Sequence, residues 1–410
     1  MKQLRIIILS WEIYPVYCGG LGILVRNLVN ELERQGHIIE VLIPDTKVDI
    51  EDPKVINLSK EIDVISKNFT SIPNFKFLLT KFAKKPNKNL SKQTTDIYKN
   101  ETPTIIQYYA RAVEQYITKQ INNGIEYDIV IGMDWVTIPT FVLLRDNIPK
   151  LNFAFYINGT EVDRNFSSRL KGGSKAIAHI EAKYYKQAKT VFTISSTSKN
   201  NLINYQKVPA KKIKLIYNDS EFQEKTTEVV VKKDKQILFL GRLVNQKGIK
   251  YLLESFRLVL KKDPEVKLMI VGSGELKAKI VRYIRKYKLS NSIKLLGWIE
   301  GSQKEEIYSA SKLFVIPSVS EPFGLTALES IRSGTPVIAS NRCGFCDIVP
   351  PTPIFSCLDT KMQSNLIIDL LNNKPRWQKL ITKQKKELAH HSWSQQIVNL
   401  IEGIIETKKM

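Results

Sequence analysis

Residues 313–339 read LFVIPSVSEPFGLTALESIRSGTPVIA, and this stretch decides the fold. Residues 313–317 form a short continuous apolar run, the pattern of a strand buried on both faces. Leu325, Leu328 and Ile331 then recur at helical spacing, and Gly334 supplies the stop. Residues 336–339 are a second apolar run. Strand, loop, helix and strand in so short a span make a βαβ unit, which requires a parallel sheet with a helical crossover.

The same alternation runs outward in both directions. Downstream of a polar, charged stretch at 221–235, strands are expected at 236–240, 266–271 and 293–296, with helices starting at Ile249 and Leu276. Upstream, strands are expected at 5–9, 37–43, 128–132, 152–157, 190–195 and 212–216. The helix after the first strand carries Leu21, Val25, Leu28, Val29 and Leu32 on one face and stops at Gly36, and another helix is expected at 174–187. Residues 45–105 are polar and lysine-rich and read as an insertion or long loops over a helix. The expectation is an α/β protein of two Rossmann-like, doubly wound domains facing each other across a deep cleft. Residues 1–222 form the first, 223–235 a linker and 236–392 the second, and 393–410 form a helix that crosses back to the first. Ligands of such sheets bind beyond the carboxyl ends of the strands, so the cleft is the expected site.

Composition sets limits on function. The chain of 410 residues is 43% hydrophobic and 25% charged, ordinary values for a globular protein large enough for two cores. No apolar run reaches the ~20 residues of a membrane-spanning helix, and the opening strand runs straight into Trp11 and Glu12, unlike a signal peptide. Four cysteines give no disulfide framework, which suits a cytoplasmic setting. The net charge of +22 is mostly scattered over lysines, and no nucleic-acid recognition module accompanies it, so nucleic acid is not an expected partner. One segment differs. Residues 64–95 hold no acid, while Lys76, Lys81, Lys84, Lys85, Lys88 and Lys92 interleave with Phe75, Phe77, Leu78, Leu79 and Phe82. Such a segment marks a candidate contact with an anionic membrane at its inner face, against the plainer reading of a lysine-rich loop whose apolar side joins the core.

Three loops carry chemistry. Gly19, Gly20 and Gly22 lie between the first strand and its helix, where backbone amides and the helix N-terminus attract an anion. The spacing does not fit a dinucleotide-binding fingerprint. Gly241-Arg242 through Lys247-Gly248 follows the first strand of the second domain. Cations disfavour a helix start, so Arg242 and Lys247 there imply a bound anion such as a diphosphate leaving group. In the opening stretch, Glu321 precedes the helix and Glu329 lies one to two turns inside it, about 12 Å apart at most at helical rise. The amides of Gly324, Leu325 and Thr326 lie between these carboxylates and suit phosphates, and each carboxylate suits paired sugar hydroxyls.

With these residues in place, the chain resembles a retaining glycosyltransferase of the GT-B fold, in family four, near its glycogen-synthase-like branch. The resemblance covers nearly all of the chain except about residues 46–105. It rests on Ser10-Trp11-Glu12 through Gly22, Met133-Asp134-Trp135, Gly159-Thr160-Glu161 with Arg164, the 241–248 loop, Gly272-Ser273-Gly274, Gly297-Trp298, the Glu321/Glu329 pair and Ser392-Trp393. It implies a nucleotide-diphospho-sugar donor as co-substrate, transfer of a hexose with retention, and no metal or other cofactor. Arg242 and Lys247 would hold the diphosphate, Glu329 the ribose and Glu321 the transferred sugar, with the Gly20 and Leu325 amides completing the phosphate site. Trp298 and Ile299 would flank the base, and Phe323 would belong to the donor-binding set. Asp134, Trp135, Glu161 and Arg164 would face the acceptor, which is a glycan, a glycolipid or a small molecule.

Three positions depart from the family pattern: Asn158 stands where many relatives carry histidine beside the donor sugar, Asn218-Asp219 replaces Asn-Gly, and Cys343-Gly344-Phe345-Cys346-Asp347 replaces Gly-Gly-x-x-Glu. Asn158 can still hydrogen-bond a sugar hydroxyl and is kept with the catalytic set, and the changes read as altered donor or acceptor preference. The alternative is a catalytically weak GT-B protein that binds nucleotide sugar or glucan as a sensor or assembly subunit. The Cys343/Cys346 pair has no second pair to complete a closed zinc site.

Overall fold

The computed structural model describes residues 3–13, 20–44, 52, 54–67, 72, 75, 102–165, 170, 172–220, 235–299 and 301–409. Two parallel sheets organise them. The first has strands β1 (Arg5–Leu9), β2 (Ile38–Ile43), β3 (Val55–Asn57), β4 (Ile129–Met133), β5 (Phe153–Ile157), β6 (Thr190–Thr193) and β7 (Ile213–Leu215), ordered β3-β2-β1-β4-β5-β6-β7. The second has β8 (Gln236–Leu240), β9 (Lys267–Val271), β10 (Ile293–Gly297), β11 (Leu313–Ile316), β12 (Val337–Ser340) and β13 (Ile354–Phe355), ordered β10-β9-β8-β11-β12-β13. Every pairing between them is parallel, which explains the unbroken apolar runs: Ile6, Ile7, Ile8 and Leu9 are all fully buried. This is a GT-B architecture of two Rossmann-like sheets.

The strand order reverses between β1 and β4 in the first sheet and between β8 and β11 in the second. At these switch points the loops leave the sheet in opposite directions and open a crevice. The three loops read as carrying chemistry sit at the carboxyl ends of β1, β8 and β11, Asp134 follows β4 and Asn158 the neighbouring β5, while the 272–274, 297–298 and 343–347 turns lie at the ends of β9, β10 and β12.

The strands lie within about a residue or two of their expected limits, and the helix at Leu325 starts where its apolar spacing begins. The stretch 45–105 holds more order than expected, with β3 paired to β2 and a helix at Ser59–Lys67 that buries no residue. The helix Thr102–Asn122 follows, and its Tyr109 hydroxyl donates to the Leu42 carbonyl at 2.6 Å. The basic run from Lys76 to Lys92, and nearly all of the stretch 221–235, lie outside the described residues.

The last helix, Trp393–Lys409, packs on the first sheet. The Trp393 indole donates to the Asn27 carbonyl, Thr407 and Thr190 share a hydroxyl hydrogen bond at 2.7 Å, and Lys408 pairs with Asp128. Gly403 lets this helix approach closely, because a Cβ there would lie 2.7 Å from the Phe192 ring. Gly403→Val should therefore lower stability by about 1–3 kcal/mol through overpacking, read as a lower denaturant midpoint with an unchanged slope.

Candidate active site

The second sheet builds one wall of the cleft from two tight loops. After β8 the chain passes Gly241 and Arg242, forms a single 3-10 turn at Asn245–Lys247, and enters the helix Ile249–Lys262 through Gly248 at φ 67°. A Cβ on Gly248 would lie 1.9 Å from the Pro317 carbonyl oxygen, so only glycine lets the loop lie against the end of β11. That contact brings Lys247 to Glu321. The Lys247 Nζ stands 2.6 Å from Glu321 Oε2, which also accepts the Ser318 hydroxyl at 3.0 Å. Arg242 is exposed, and no described carboxylate pairs with it.

After β11 the chain turns through Gly324, at φ 109°, into the helix Leu325–Arg332. The amides of Gly324, Leu325 and Thr326 have no backbone acceptor among the described residues, which leaves the first turn open to an anion. Glu321 and Glu329 are each 8% exposed. Glu329 is held by two residues that the sequence reading missed. Lys304 Nζ lies 2.7 Å from both of its oxygens, and the Tyr308 hydroxyl donates to Oε2 at 2.9 Å. Burial, with the Glu329 charge adding to it, pushes the Tyr308 phenol well above its usual range, so it stays a donor. Phe323 is 3% exposed and its ring packs in the core. Its carbonyl accepts the Phe345 amide. Trp298 is 54% exposed on the rim, and Ile299 is half-buried against the core.

The first sheet supplies the opposite wall. Gly20 opens the helix Gly20–Arg34, and a Cβ there would meet nothing within 4 Å. Gly22 is buried, and Gly19 lies outside the described residues. Asp134, after β4, adopts φ 55° and ψ −174°, a conformation that costs a non-glycine residue about 1–3 kcal/mol. Its carboxylate accepts the Asn158 amide at 2.8 Å and the Gly159 amide, and Arg164 stands 3.7 Å away. Burial raises the Asp134 carboxyl above its usual range, and Arg164 and the two amides oppose that shift. Asp134 thus ties the end of β4 to the loop after β5 that carries Asn158. The Asn158 Nδ2 is buried without a partner among the described residues.

Two residues expected on the acceptor side are buried. Trp135 is 1% exposed, and its ring packs in the core under β4. Glu161 is also 1% exposed, with its carboxylate on Arg164 and Asn165 and its amide on both oxygens of Glu181. It braces the Asn158 loop from inside. Besides Glu161, Arg164 serves three further buried acids, lowering the carboxyls of Asp134, Asp163 and Glu181 against the larger effect of burial.

The two walls meet at glycines. A Cβ on Gly159 would lie 3.3 Å from the Pro322 ring, and one on Gly344 would lie 2.1 Å from the Pro322 carbonyl and 2.5 Å from Ser195 Cβ. Asp347 Oδ2 accepts the Ser196 amide at 2.6 Å across the same seam. The departure at Asn218-Asp219 is also structural, since Asp219 pairs with Arg332 at 2.8 Å and the Asn218 carbonyl meets His391 at 3.0 Å.

The residues 219–387 match the family model of glycosyl transferases group 1, and residues 5–175 match that of the starch synthase catalytic domain. The chain is 27% identical over 359 residues to an uncharacterized glycosyltransferase of Methanocaldococcus jannaschii, covering 84% of this chain and 83% of that protein. A glycogen synthase of Mycobacterium tuberculosis is 22% identical over 355 residues, 84% of this chain and 80% of its own. Among solved structures, a sucrose-phosphate synthase from Thermosynechococcus elongatus superposes with a TM-score of 0.74 at 19% identity, covering 98% of each chain. The starch synthase IV catalytic domain of Arabidopsis thaliana, bound to ADP and acarbose, gives 0.68 at 16% identity over 100% of each.

Cys343 and Cys346 are free thiols. Burial pushes Cys343 well above its usual range and Cys346 up to about 12, with Asp347 adding to the latter shift. Since the thiolate is the nucleophile, iodoacetamide at pH 7.5 should label Cys346 in the folded protein roughly a hundredfold or more slowly than in urea. Peptide mass spectrometry over a time course reads this, and equal rates would contradict the burial.

Proposed function

We propose that this chain, which belongs to the GT-B glycosyltransferases, moves a hexose from a nucleotide-diphospho-sugar to a glycan, glycolipid or small-molecule acceptor with retention of configuration. The observation that carries the reading is the pair Glu321 and Glu329. Both are nine-tenths buried, both are held by a lysine, and they flank the open first turn of one helix. The open amides and the exposed Arg242 suit a diphosphate, Glu329 a ribose and Glu321 the transferred sugar.

In this reading the donor's diphosphate draws Lys247 from Glu321, and Lys247 and Arg242 then stabilise the charge that grows as the sugar–phosphate bond breaks. The acceptor hydroxyl approaches from the same face as the leaving group. Its proton passes to the leaving diphosphate oxygen while its oxygen bonds to the anomeric carbon. The electron pair of the broken bond stays on the diphosphate, so charge and atoms balance without a protein nucleophile. Two cations and three amides supply the electrostatic help that a divalent metal gives in other transferases, so turnover without added metal is expected. Asn158, placed beside Pro322 by the contact with Gly159, offers its unpartnered Nδ2 to a sugar oxygen.

The two glutamates should separate in kinetics. Glu321→Gln should lower turnover by roughly a hundredfold or more, with affinity for the free nucleoside diphosphate retained or improved because Lys247 is released. Glu329→Gln should weaken that affinity by about tenfold or more. Steady-state rates together with calorimetric titration read both. Equal losses of affinity in the two variants would refute the division of roles.

A further inference from the structure

Resting on the donor reading just given, we infer that Lys304 and Tyr308 are positioning residues for recognition of the donor's ribose hydroxyls through Glu329. They stand four residues apart on the helix Gly301–Ala310, and so share one of its faces. That face meets Glu329 on the helix Leu325–Arg332, with the ammonium 2.7 Å from both carboxylate oxygens and the phenol 2.9 Å from Oε2.

The contact is more than a surface ion pair. The side chains of Lys304 and Glu329 are 21% and 10% exposed, and Tyr308 is fully buried. Tyr308 is itself fixed through its backbone, whose carbonyl accepts the Thr335 hydroxyl at 2.6 Å just past the end of the Glu329 helix. The carboxylate therefore cannot rotate without losing two charge-assisted bonds in a dry place, where such bonds count most.

A carboxylate has about four acceptor sites. Lys304 bridges both oxygens and Tyr308 takes a further site on Oε2, so the plane of the carboxylate and the direction of its open acceptor sites are fixed. A carboxylate locked in this way suits two vicinal hydroxyls that donate together. Without Lys304 the carboxylate loses the contact that bridges both of its oxygens, and its plane is no longer fixed. Its acceptors then lose their direction even though Glu329 remains. Lys304 and Tyr308 touch no reacting atom; they act through Glu329.

The test is discrimination between ribose and its dehydroxylated form, which a merely structural role does not move. The wild-type protein and Lys304→Met are titrated calorimetrically with UDP, ADP and GDP and with the 2′,3′-dideoxy form of whichever binds. Wild type should favour the ribonucleotide by about tenfold or more, the size of a hydrogen bond to a charged group. Lys304→Met should reduce that ratio to within about threefold by weakening the ribonucleotide alone, and should raise KM for the donor more than it lowers kcat. A ratio that stays at the wild-type value in Lys304→Met overturns the inference, as does a wild type that binds the ribonucleotide without preference. A wild type that binds none of the three nucleotides overturns the donor reading itself. Should Lys304→Met fail to fold, Tyr308→Phe removes one bond and keeps the ring, and should lower the ratio about two- to fivefold; an unchanged ratio there also overturns the inference.

Discussion

Pro322 is one of the points where the two halves of the molecule touch, and the site depends on that joint. Its ring lies against Gly159 from the first sheet, and its carbonyl lies where a Cβ on Gly344 would be. Ser195, also from the first sheet, closes the other side of Gly344. Side chains at these glycines would hold the walls apart. With hydrogen there instead, the loop carrying Asn158 and the loop carrying Glu321 share one cleft. The Asp347 carboxylate on the Ser196 amide secures the same seam at the start of the helix Ser196–Asn204, where a negative charge is favourable.

Electrostatics inside the cleft follow a consistent pattern. Each buried glutamate has its lysine, and one exposed arginine stands ready for an anion. The lysines therefore have two tasks. They neutralise carboxylates that would be costly to bury alone, and they sit where the phosphates and ribose of a nucleotide would compete for them. On the opposite wall a single guanidinium serves Asp134, Asp163, Glu161 and Glu181. The strained Asp134 backbone and this acid cluster look costly for stability. What they hold is the Asn158 loop, placed by the Asp134 carboxylate through two backbone amides.

Much of this was legible in the sequence. Buried parallel strands announce themselves as unbroken apolar runs, which is why β1 and β8 fall at their expected residues. Gly248 and Gly324, at the starts of helices, marked real loops because their backbones need positive φ. Short polar elements were not legible: β3 has three residues and the helix Ser59–Lys67 buries none, so neither leaves a hydrophobic pattern. The burial of Trp135 and Glu161 was not legible either, because residue type alone does not report it. Lys304 was missed for the reverse reason. It lies on a helix with only one buried residue and reads as a solvated lysine, and its one signal was Tyr308 four positions on.

The most direct test of the central claim is a thermal-shift and sugar-release panel of UDP-, ADP- and GDP-sugars on the purified wild-type protein, without metal and with magnesium. Stabilisation by one nucleotide family, with slow release of free sugar in the absence of metal, is the result this account requires. Stabilisation with no release or transfer, even when candidate acceptors are added, would contradict an active transferase and leave a nucleotide-sugar sensor.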